Sequence, residues 1–252
     1  MPSLRQIRDD TALCLVFFTR LPLPVFDFRD RTLAQAIWAA PLTGLVVAAI
    51  AALVFAVATG LGLSANSAAA LTLATSMLAT GCLHEDGLSD VADGFGGGKS
   101  REKKLEIMRD SRIGAYGASA LALSILIRWT ALSDIASPAS MIAALVAAHM
   151  ASRGLLGAFM HLLPPARSDG LSASAGTVSI NTALVGVVIG AASLLLLGAG
   201  GAITAAILLA AIVLGLRTFC LRQIGGHTGD TIGALQQLAE IVVLLVASVV
   251  LS

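Results

Sequence analysis

Long uninterrupted runs of apolar residues constrain this chain more than any other feature. Residues 38–63 contain no charged side chain, and comparable runs recur along the whole sequence. Of the 252 residues, 57% are hydrophobic and 12% are charged, whereas about 25% of residues are charged in soluble domains. A soluble fold of this size has no use for so much apolar surface, but a lipid bilayer requires it. The composition therefore predicts an all-α, polytopic integral membrane helical bundle.

Hydropathy divides the chain into about seven predicted transmembrane helices and one shorter N-terminal helix. Each predicted span is long enough, or nearly so, to cross a hydrocarbon core of about 30 Å at about 1.5 Å per residue. The spans are approximately 38–63, 67–83, 113–133, 139–163, 180–197, 202–216 and 234–251. Residues 198–201 are predicted to be a tight turn. Residues 11–31 contain Pro22 and Pro24, which predicts an interfacial or re-entrant helix that stops at the prolines.

The basic residues fall on one side of the predicted spans. Two of the sixteen, Arg128 and Arg153, lie within spans, and the turns on one side hold none. The other basic residues precede the first span or follow the second, fourth and sixth spans. The positive-inside rule assigns that side to the cytoplasm. Residues 1–252 are therefore predicted to form one membrane domain with two large cytoplasmic polar segments, an acidic loop at about 84–112 and a second loop at about 217–233.

The acidic loop is dense in carboxylates and glycines. If it continues the second span as a helix, Asp86, Asp90 and Asp93 lie within about 60° of one another on one face. Stacked carboxylates repel one another unless something neutralises them, and a hard cation such as Mg²⁺ binds such oxygens. We predict that these aspartates bind Mg²⁺, with Glu85 joining or orienting the set. A solvated acidic helix end is the alternative, but it does not explain the interspersed glycines.

Two familiar motifs are excluded in this loop. A phosphate-binding loop of the G-x-x-x-x-G-K-S type would need glycine at position 93, where aspartate stands, and the zinc motif H-E-x-x-H fails at Leu88.

The chain also has three cysteines, far apart and in apolar surroundings. No metal-ligand spacing links them, so they are predicted to be buried, inert thiols.

A basic element follows the acidic loop and leads into the third span. Arg109 and Arg112 stand three residues apart, with Asp110 between them. Because arginine binds phosphate with two parallel hydrogen bonds, both are predicted to clamp a diphosphate. The alternative is a pair of interfacial anchors.

The second polar loop contains another glycine-rich cluster at residues 225–230. Its His227 and Asp230 are predicted to supply a metal ligand, a base or a substrate contact. An ordinary turn explains the glycines but not the whole cluster.

Three arginine or glutamate residues fall within predicted spans. Arg153 and Glu240 are functional candidates because charge at such depth is costly, and structural pairing is the alternative for each. Arg128 is predicted to pair with Asp134 near the outer membrane face, or to extend its charged group toward that face.

Taken together, these residues resemble the cobalamin synthase family, the adenosylcobinamide-GDP ribazoletransferases of vitamin B12 assembly. The resemblance covers nearly the whole chain. Its motifs are TRLP at 19–22, HEDGLSD at 84–90, DGFGG at 93–97, MRDSRIG at 108–114, RSDGL at 167–171 and GGHTGD at 225–230. The acidic segment and the MRDSRIG element are its most specific parts.

The resemblance implies an activity, a cofactor and a location. The family joins adenosylcobinamide-GDP to α-ribazole or α-ribazole 5′-phosphate, releases GMP, requires Mg²⁺ and resides in the cytoplasmic membrane of prokaryotes. A homo-oligomer is left open, and no nucleic acid partner is implied. The expected catalytic carboxylates are Asp93, as the favoured proton acceptor, with Asp90 and Glu85. The expected substrate-binding residues are Arg109, Arg112, Asp230, His227 and Arg20.

Two other functions remain open at this stage. The CDP-alcohol phosphotransferases of membranes use clustered aspartates in the same way, but their D-G-x-x-A-R spacing is missing after Asp86-Gly87. A transporter or cation channel would place its polar sites near the bilayer midplane. Here the charges crowd at one predicted membrane face, which favours an enzyme that acts on phosphates.

Overall fold

The apolar runs of the sequence form helices in the computed structural model, which describes residues 3–24, 26, 31–135, 137–170 and 175–252. No β-strand occurs within these ranges, and the predicted all-α bundle is confirmed. In chain order the α-helices are α1 (Leu4–Phe18), α2 (Leu33–Ala36), α3 (Ala40–Gly60), α4 (Ala65–Thr80), α5 (Leu83–Gly97), α6 (Arg101–Ile107), α7 (Ala115–Ser133), α8 (Pro138–Gly154), α9 (Leu156–Leu162), α10 (Ile180–Ser193), α11 (Gly198–Ile224) and α12 (Gly229–Val250). Short 3₁₀ turns, Ile37–Ala39 and Leu194–Leu197, precede α3 and α11.

Five helical stretches within the described ranges are long and apolar enough to cross a membrane. They are Leu33–Gly60, Ala115–Ser133, Pro138–Leu162, Ile180–Ile224 and Gly229–Val250. Together they contain six of the seven predicted spans, because Ile180–Ile224 includes two. The remaining predicted span corresponds to α4, whose 16 residues fall short of the roughly 20 that a spanning helix needs. The count of seven therefore stays a prediction.

The chain reverses direction between α10 and α11. His161 and Leu162, at the end of α9, contact residues on both sides of the reversal: His161 Nδ1 lies 2.9 Å from the carbonyl oxygen of Val178, and Arg217 Nε donates to the carbonyl of Leu162 at 3.4 Å. The start of α10 and the end of α11 thus lie at the same end of the bundle. Gly198 forms the turn with a φ of +71°, a conformation that suits glycine. The predicted extent of the turn, 198–201, is wrong, because all four residues belong to α11 and the reversal is made by the 3₁₀ turn Leu194–Leu197 and by Gly198.

The N-terminal helix begins earlier than predicted, at Leu4 instead of residue 11. The reason is a capping box, in which the side chains of Ser3 and Gln6 each accept a hydrogen bond from the other's backbone N–H. The helix ends at Phe18, before the prolines, as predicted. The predicted segment also includes residues 25 and 27–30, Arg29 among them, which lie outside the described residues.

Helix α1 is attached to the bundle through the buried carboxylate of Asp10. Its two oxygens accept hydrogen bonds from Arg31 Nε and Nη2, both at 2.6 Å, and Oδ2 also accepts one from Trp38 Nε1 at 2.8 Å. Charge-assisted pairs of this bidentate kind are short and directional. This contact fixes α1 beside the segment that leads into α3.

The prediction that the acidic segment is a loop is wrong, because residues 83–97 form the helix α5. Helix α5 is also separate from α4, since Gly81 and Cys82 both adopt left-handed backbone conformations, with φ values of +63° and +57°. A non-glycine residue in this conformation is strained. Cys82 is exposed and not buried as predicted, since it lies at this break; Cys14 and Cys220 are buried.

The second polar loop is also shorter than predicted. Helix α11 continues to Ile224, well past the end of the predicted span at residue 216. Arg217 and Arg222 therefore lie on a helix, because its last turns extend beyond the apolar run. The loop itself is confined to residues 225–228, immediately before α12.

Candidate active site

Helix α5 lies between α7 and α12 and runs antiparallel to α7. Near its start, Glu85 contacts Arg128 in the second half of α7, and near its end Asp93 contacts Gly114 and Gly117 at the beginning of α7. Gly87 allows α5 to approach α12 closely, since a Cβ atom at this position would lie 2.7 Å from the carbonyl oxygen of Asp230. Residues of α5 are thereby brought to the first turn of α12.

This approach creates an acid cluster, which consists of Asp86, Asp90 and Asp230. Asp86 is exposed and Asp90 is half-buried. Burial and, after it, the charges of Asp86, Asp230 and Asp93 together raise the pKa of the Asp90 carboxyl to about 7. Asp230 Oδ2 accepts a hydrogen bond from Thr228 Oγ1 at 3.1 Å. Like charges are thus concentrated at the end of the bundle.

The raised pKa of Asp90 predicts a pH-dependent stability for the metal-free protein. The folded state holds this proton up to about pH 7, far above the ordinary value of about 3.9. The free energy of unfolding should therefore fall as pH rises toward and through 7. Burial lowers the pKa of His227 to about 4, so the stability that His227 contributes rises with pH instead of falling. That rise is complete above about pH 6.5, the ordinary pKa of histidine.

Melting temperatures measured in detergent with a chelator, between pH 6.5 and 8.5, test this expectation. The wild-type melting temperature should fall up to about pH 8 and then level off, and that of Asp90→Asn should fall less. Parallel curves for the two proteins would contradict the assignment.

Asp93 belongs to the predicted set, but its carboxylate caps the N-terminus of α7. Oδ2 accepts the N–H of Gly114 at 2.7 Å, and Oδ1 accepts the N–H of Gly117 at 2.9 Å. The side chain is 9% exposed. A Cβ atom at either glycine would overlap this carboxylate, which explains glycine at both positions. Both oxygens of Asp93 thus already bind the backbone of the protein.

Glu85 lies in a buried ion network instead of the acid cluster. Glu85 Oε1 and Glu240 Oε1 accept hydrogen bonds from Arg128 Nη1 at 3.0 and 3.1 Å. Glu240 Oε2 lies 3.0 Å from His149 Nδ1 and 3.8 Å from Arg153 Nη1. All five residues are at most 4% exposed. We call this set the buried ion network.

The network corrects one prediction and bears on two others. The predicted pairing of Arg128 with Asp134 is wrong, because α5 inserts Glu85 beside Arg128 inside the bundle. Arg153 and Glu240 were predicted to be either functional or structurally paired. Both are paired within the network.

Arg167 was not among the predicted site residues, yet it lies at the acid cluster. Its Nη2 is 3.7 Å from Asp230 Oδ2, and its charge lowers the pKa of Asp90. Its Nε and Nη1 are buried and have no hydrogen-bond partner among the described residues. Arg167 therefore has donors to offer an anion. The available signal in the sequence was the RSDGL motif at 167–171, which begins with this arginine.

His227 supports the loop that carries Arg167. Its backbone N–H donates to the carbonyl of Pro164 at 2.9 Å, and its carbonyl accepts the N–H of Ala166 at 2.8 Å. Arg101 reinforces this loop through hydrogen bonds to the carbonyls of Ala166 and Ile224. His227 is thus brought next to the site, and its backbone makes these contacts.

The other predicted arginines lie farther out. Arg109 Nη2 binds Asp169 at 2.6 Å, and Arg112 Nη2 binds Asp110 at 2.6 Å, in exposed pairs. The guanidinium of Arg112 lowers the pKa of Asp110 to about 2. Arg20 lies over the break between α4 and α5, where its N–H donates to the carbonyl of Ala79 at 2.8 Å. Of the predicted substrate-binding residues, only Asp230 joins the acid cluster directly.

The acid cluster supplies the hard oxygen donors that Mg²⁺ prefers. No group of three or more histidine, cysteine, aspartate or glutamate side chains within the described ranges is arranged to hold a metal ion. Magnesium is nevertheless commonly bound by one or two carboxylates together with water and substrate phosphate oxygens. The donor chemistry of Asp86 and Asp230 fits that mode of binding.

Comparison with known proteins identifies the family. The sequence profile described as Cobalamin-5-phosphate synthase matches residues 10–248. A relative from Mesorhizobium japonicum, named adenosylcobinamide-GDP ribazoletransferase, is 70% identical over 250 residues, which are 99% of this chain and 96% of the relative. A relative of the same name from Bradyrhizobium diazoefficiens is 50% identical over 248 residues, 98% of this chain and 95% of the relative. No solved structure shows a significant match. The chain belongs to the cobalamin-5-phosphate synthase family.

Proposed function

We propose that this chain transfers the cobinamide-phosphate moiety of adenosylcobinamide-GDP to a ribose hydroxyl of α-ribazole or its 5′-phosphate. The transfer releases GMP and assembles the nucleotide loop of cobalamin. The observation that supports this proposal most is a relative named adenosylcobinamide-GDP ribazoletransferase, which is 70% identical over 99% of this chain. The acid cluster beside Arg167 supports the same reaction class.

The reaction sets two chemical requirements. A ribose hydroxyl oxygen forms a bond to the phosphorus attached to cobinamide, and the bond from that phosphorus to the oxygen of the departing GMP breaks. The hydroxyl proton must be accepted, and the negative charge of the diphosphate must be neutralised. Phosphoryl transfer otherwise depends mainly on positioning. The residues at this end of the bundle offer both functions.

Asp86 and Asp230 are the residues that we propose hold Mg²⁺. The ion would neutralise the diphosphate and the leaving GMP when bound. These metal ligands do not include Asp93 and Glu85, which were expected from the sequence, because Asp93 caps α7 and Glu85 binds Arg128. Asp86 is exposed, so an ion that it binds can also reach a substrate phosphate.

Asp90 is the proposed proton acceptor, in place of the favoured Asp93. A general base works best when its pKa lies near the working pH, and burial together with neighbouring carboxylates raises the pKa of Asp90 to about 7. Its half-buried position leaves it accessible from the side of the acid cluster. Asp90 would take the hydroxyl proton as the new bond to phosphorus forms.

Arg167 is the proposed inner contact to the diphosphate. A guanidinium with two buried donors that have no partner in the described part of the chain is suited to bind phosphate oxygens in parallel. Arg109 and Arg112 would bind the outer part of the nucleotide by exchanging their exposed carboxylate partners, Asp169 and Asp110, for phosphate.

The proposed compartment follows from the charge distribution. The basic helix α6 and the loops that carry Arg167 and His227 lie at the same end of the bundle as the acid cluster. The positive-inside rule assigns this end to the cytoplasm. We place the enzyme in the cytoplasmic membrane of a prokaryote, with its site facing the cytoplasm, where nucleotide substrates occur.

The reaction is tested by incubating the purified protein in detergent or liposomes with adenosylcobinamide-GDP, α-ribazole and Mg²⁺. GMP and a cobalamin product should appear in equal amounts, and a chelator should stop both. Binding of both substrates without release of GMP would contradict the proposal. Undiminished turnover in chelator would remove Mg²⁺ from it.

Substitution of Arg167 should lower kcat/KM for adenosylcobinamide-GDP by about 10²-fold in Arg167→Ala, since a donor to developing charge is typically worth that much. Arg167→Lys should recover part of the loss, because one charge remains but the paired donors do not. Steady-state kinetics measure the effect. Arg222→Ala, on the exposed end of α11, is the control, and equal rates in the Arg167 and Arg222 variants would contradict the role.

Substitution of Gly87 should separate α5 from α12. The Cβ atom in Gly87→Ala would meet the backbone of Asp230 at 2.7 Å, so the helices must shift. Overpacking of this kind typically costs about 1–3 kcal/mol, and misplacement of reacting groups by 1 Å can lower the rate about 10²-fold. Melting temperature and turnover measure the two effects. Gly215→Ala, where nothing lies within 4 Å, should change neither, and a wild-type rate in Gly87→Ala would refute the argument.

A further inference from the structure

A cavity of about 220 Å³ lies beside the acid cluster. It is lined by α1, α2, the 3₁₀ turn that precedes α3, α5, α9, Ala175 and the start of α12. Its apolar walls include Phe17, Phe18, Ile37 and Met160, and its polar lining includes Asp86 and Asp230. The cavity therefore opens from an apolar interior onto two of the three carboxylates of the proposed active site.

One further polar group lines this cavity, the imidazole of His84. The ring stacks on Phe18, with centroids 5.9 Å apart and planes 12° from parallel. His84 is 2% exposed, and its Nε2 is buried without a hydrogen-bond partner among the described residues. Buried polar atoms of folded proteins nearly always have a partner. A buried nitrogen without a partner in the wall of a cavity therefore indicates a ligand that supplies the missing hydrogen bond.

We propose that this cavity binds the fused aromatic base of the ribazole substrate, with His84 Nε2 hydrogen-bonded to the free ring nitrogen of the base. The proposal rests on the proposed function, because it assigns the acceptor substrate of that reaction to a place. A base held here directs its attached ribose toward Asp86 and Asp230. The ribose hydroxyl then meets the acid cluster, where its proton is taken and phosphorus is attacked.

The size and polarity of the cavity favour this occupant over the other parts of the substrates. Pockets for drug-sized ligands occupy about 300–1,000 Å³, so a smaller cavity accommodates one fused ring system and excludes a corrinoid. Guanine carries several donors and acceptors, which apolar walls would leave unpaired. A dimethylbenzimidazole has one free ring nitrogen and two methyl groups, and this pattern matches one unpaired imidazole nitrogen within aromatic and aliphatic walls.

Helix α1 gives the cavity a defined shape. It contributes Phe17 and Phe18, whose ring centroids lie 4.9 Å apart in an edge-to-face arrangement. The bonds of Asp10 to Arg31 and Trp38 hold the helix in place. A preformed aromatic wall of this kind binds a planar base with little loss of conformational freedom.

The first test uses the wild-type protein in detergent and requires no substitution. Dimethylbenzimidazole, the free base of ribazole, should inhibit GMP release competitively against α-ribazole and non-competitively against adenosylcobinamide-GDP. Competition against adenosylcobinamide-GDP instead would overturn the proposal, since the cavity would then belong to the nucleotide.

The second test fills the cavity and removes its polar group. Met160→Trp should weaken α-ribazole binding at least about tenfold in fluorescence titrations and leave GMP binding unchanged. Leu162→Trp, on the exposed face of the same helix, should change neither. His84→Leu should raise KM for α-ribazole about three- to tenfold, as expected for one lost hydrogen bond, and His84→Gln should recover part of this.

These outcomes separate the two proposals. Unchanged affinity for α-ribazole in folded Met160→Trp and His84→Leu would overturn the cavity assignment, even if the wild type turns over. Conversely, the wild type could bind α-ribazole more tightly than the two variants and yet release no GMP. That result would support the cavity assignment and remove the proposed reaction. Melting temperatures verify that each variant is folded.

Discussion

The Asp90→Asn variant is expected to turn over about 10²–10⁴-fold more slowly than the wild type, the range associated with loss of a general base. An amide of the same shape fills the position but cannot accept the ribose hydroxyl proton. The variant should also be folded and, without metal above pH 7, more thermostable than the wild type. The reason is that the amide removes a charge that burial and the neighbouring carboxylates disfavour.

Kinetics and melting temperature measured on the same preparation distinguish this role from the others. Asp86→Asn should mainly raise the Mg²⁺ concentration needed for half-maximal rate, since Asp86 is a proposed ligand. Asp93→Ala should lower stability by about 1 kcal/mol, as expected for the loss of a helix cap. An Asp90→Asn rate above a tenth of the wild-type rate would remove Asp90 from the mechanism.

The Arg128→Met variant is expected to lose about 3–5 kcal/mol of stability, the usual effect of removing one partner from a buried ion pair. Arg128 is 1% exposed and neutralises two buried carboxylates, Glu85 and Glu240. Methionine matches much of the volume of arginine, so the loss should reflect charge more than packing. Because Glu85 belongs to α5, turnover should fall as well.

Thermal unfolding in detergent measures the loss, and the exposed Arg112→Met is the matched control. Arg112 pairs with Asp110 at the surface, and screening makes such pairs nearly neutral for stability. A second comparison removes one positive and one negative charge together, in Glu85→Gln/Arg128→Met, and keeps Glu240 as the partner of Arg153. This double variant should recover part of the stability lost in Arg128→Met, and no recovery would contradict a charge-based explanation.

The buried ion network explains how α5 is held at the site. It binds the start of α5 to α7 and α12, while the Asp93 cap binds the end of α5 to the first turn of α7. The half of α5 between these two attachments carries Asp86, Gly87 and Asp90. The network and the cap thus leave the acid cluster little freedom to spread under its own repulsion.

Local patterns in the sequence determined the class of the protein and much of its outline. Apolar runs predicted an all-α membrane bundle, since a bilayer admits few other structures. The helix supposed for Asp86, Asp90 and Asp93 exists, because helical periodicity is a local property, but it is separate from α4 and replaces the predicted loop. The motifs also predicted the family, which the comparisons confirm. The ends of α4 and the extension of α11 were misjudged, because helices end at caps and not where hydropathy falls.

Only the tertiary structure decided which of these residues act together. Glu85 and Asp86 are neighbours in sequence, yet successive helical residues point about 100° apart, so one meets Arg128 and the other the acid cluster. Arg167 and Asp230 are distant in sequence but lie 3.7 Å apart, as a consequence of how two loops pair at the end of the bundle. A sequence reveals the face of a helix on which a side chain lies. The partner that meets this face depends on how distant helices pack.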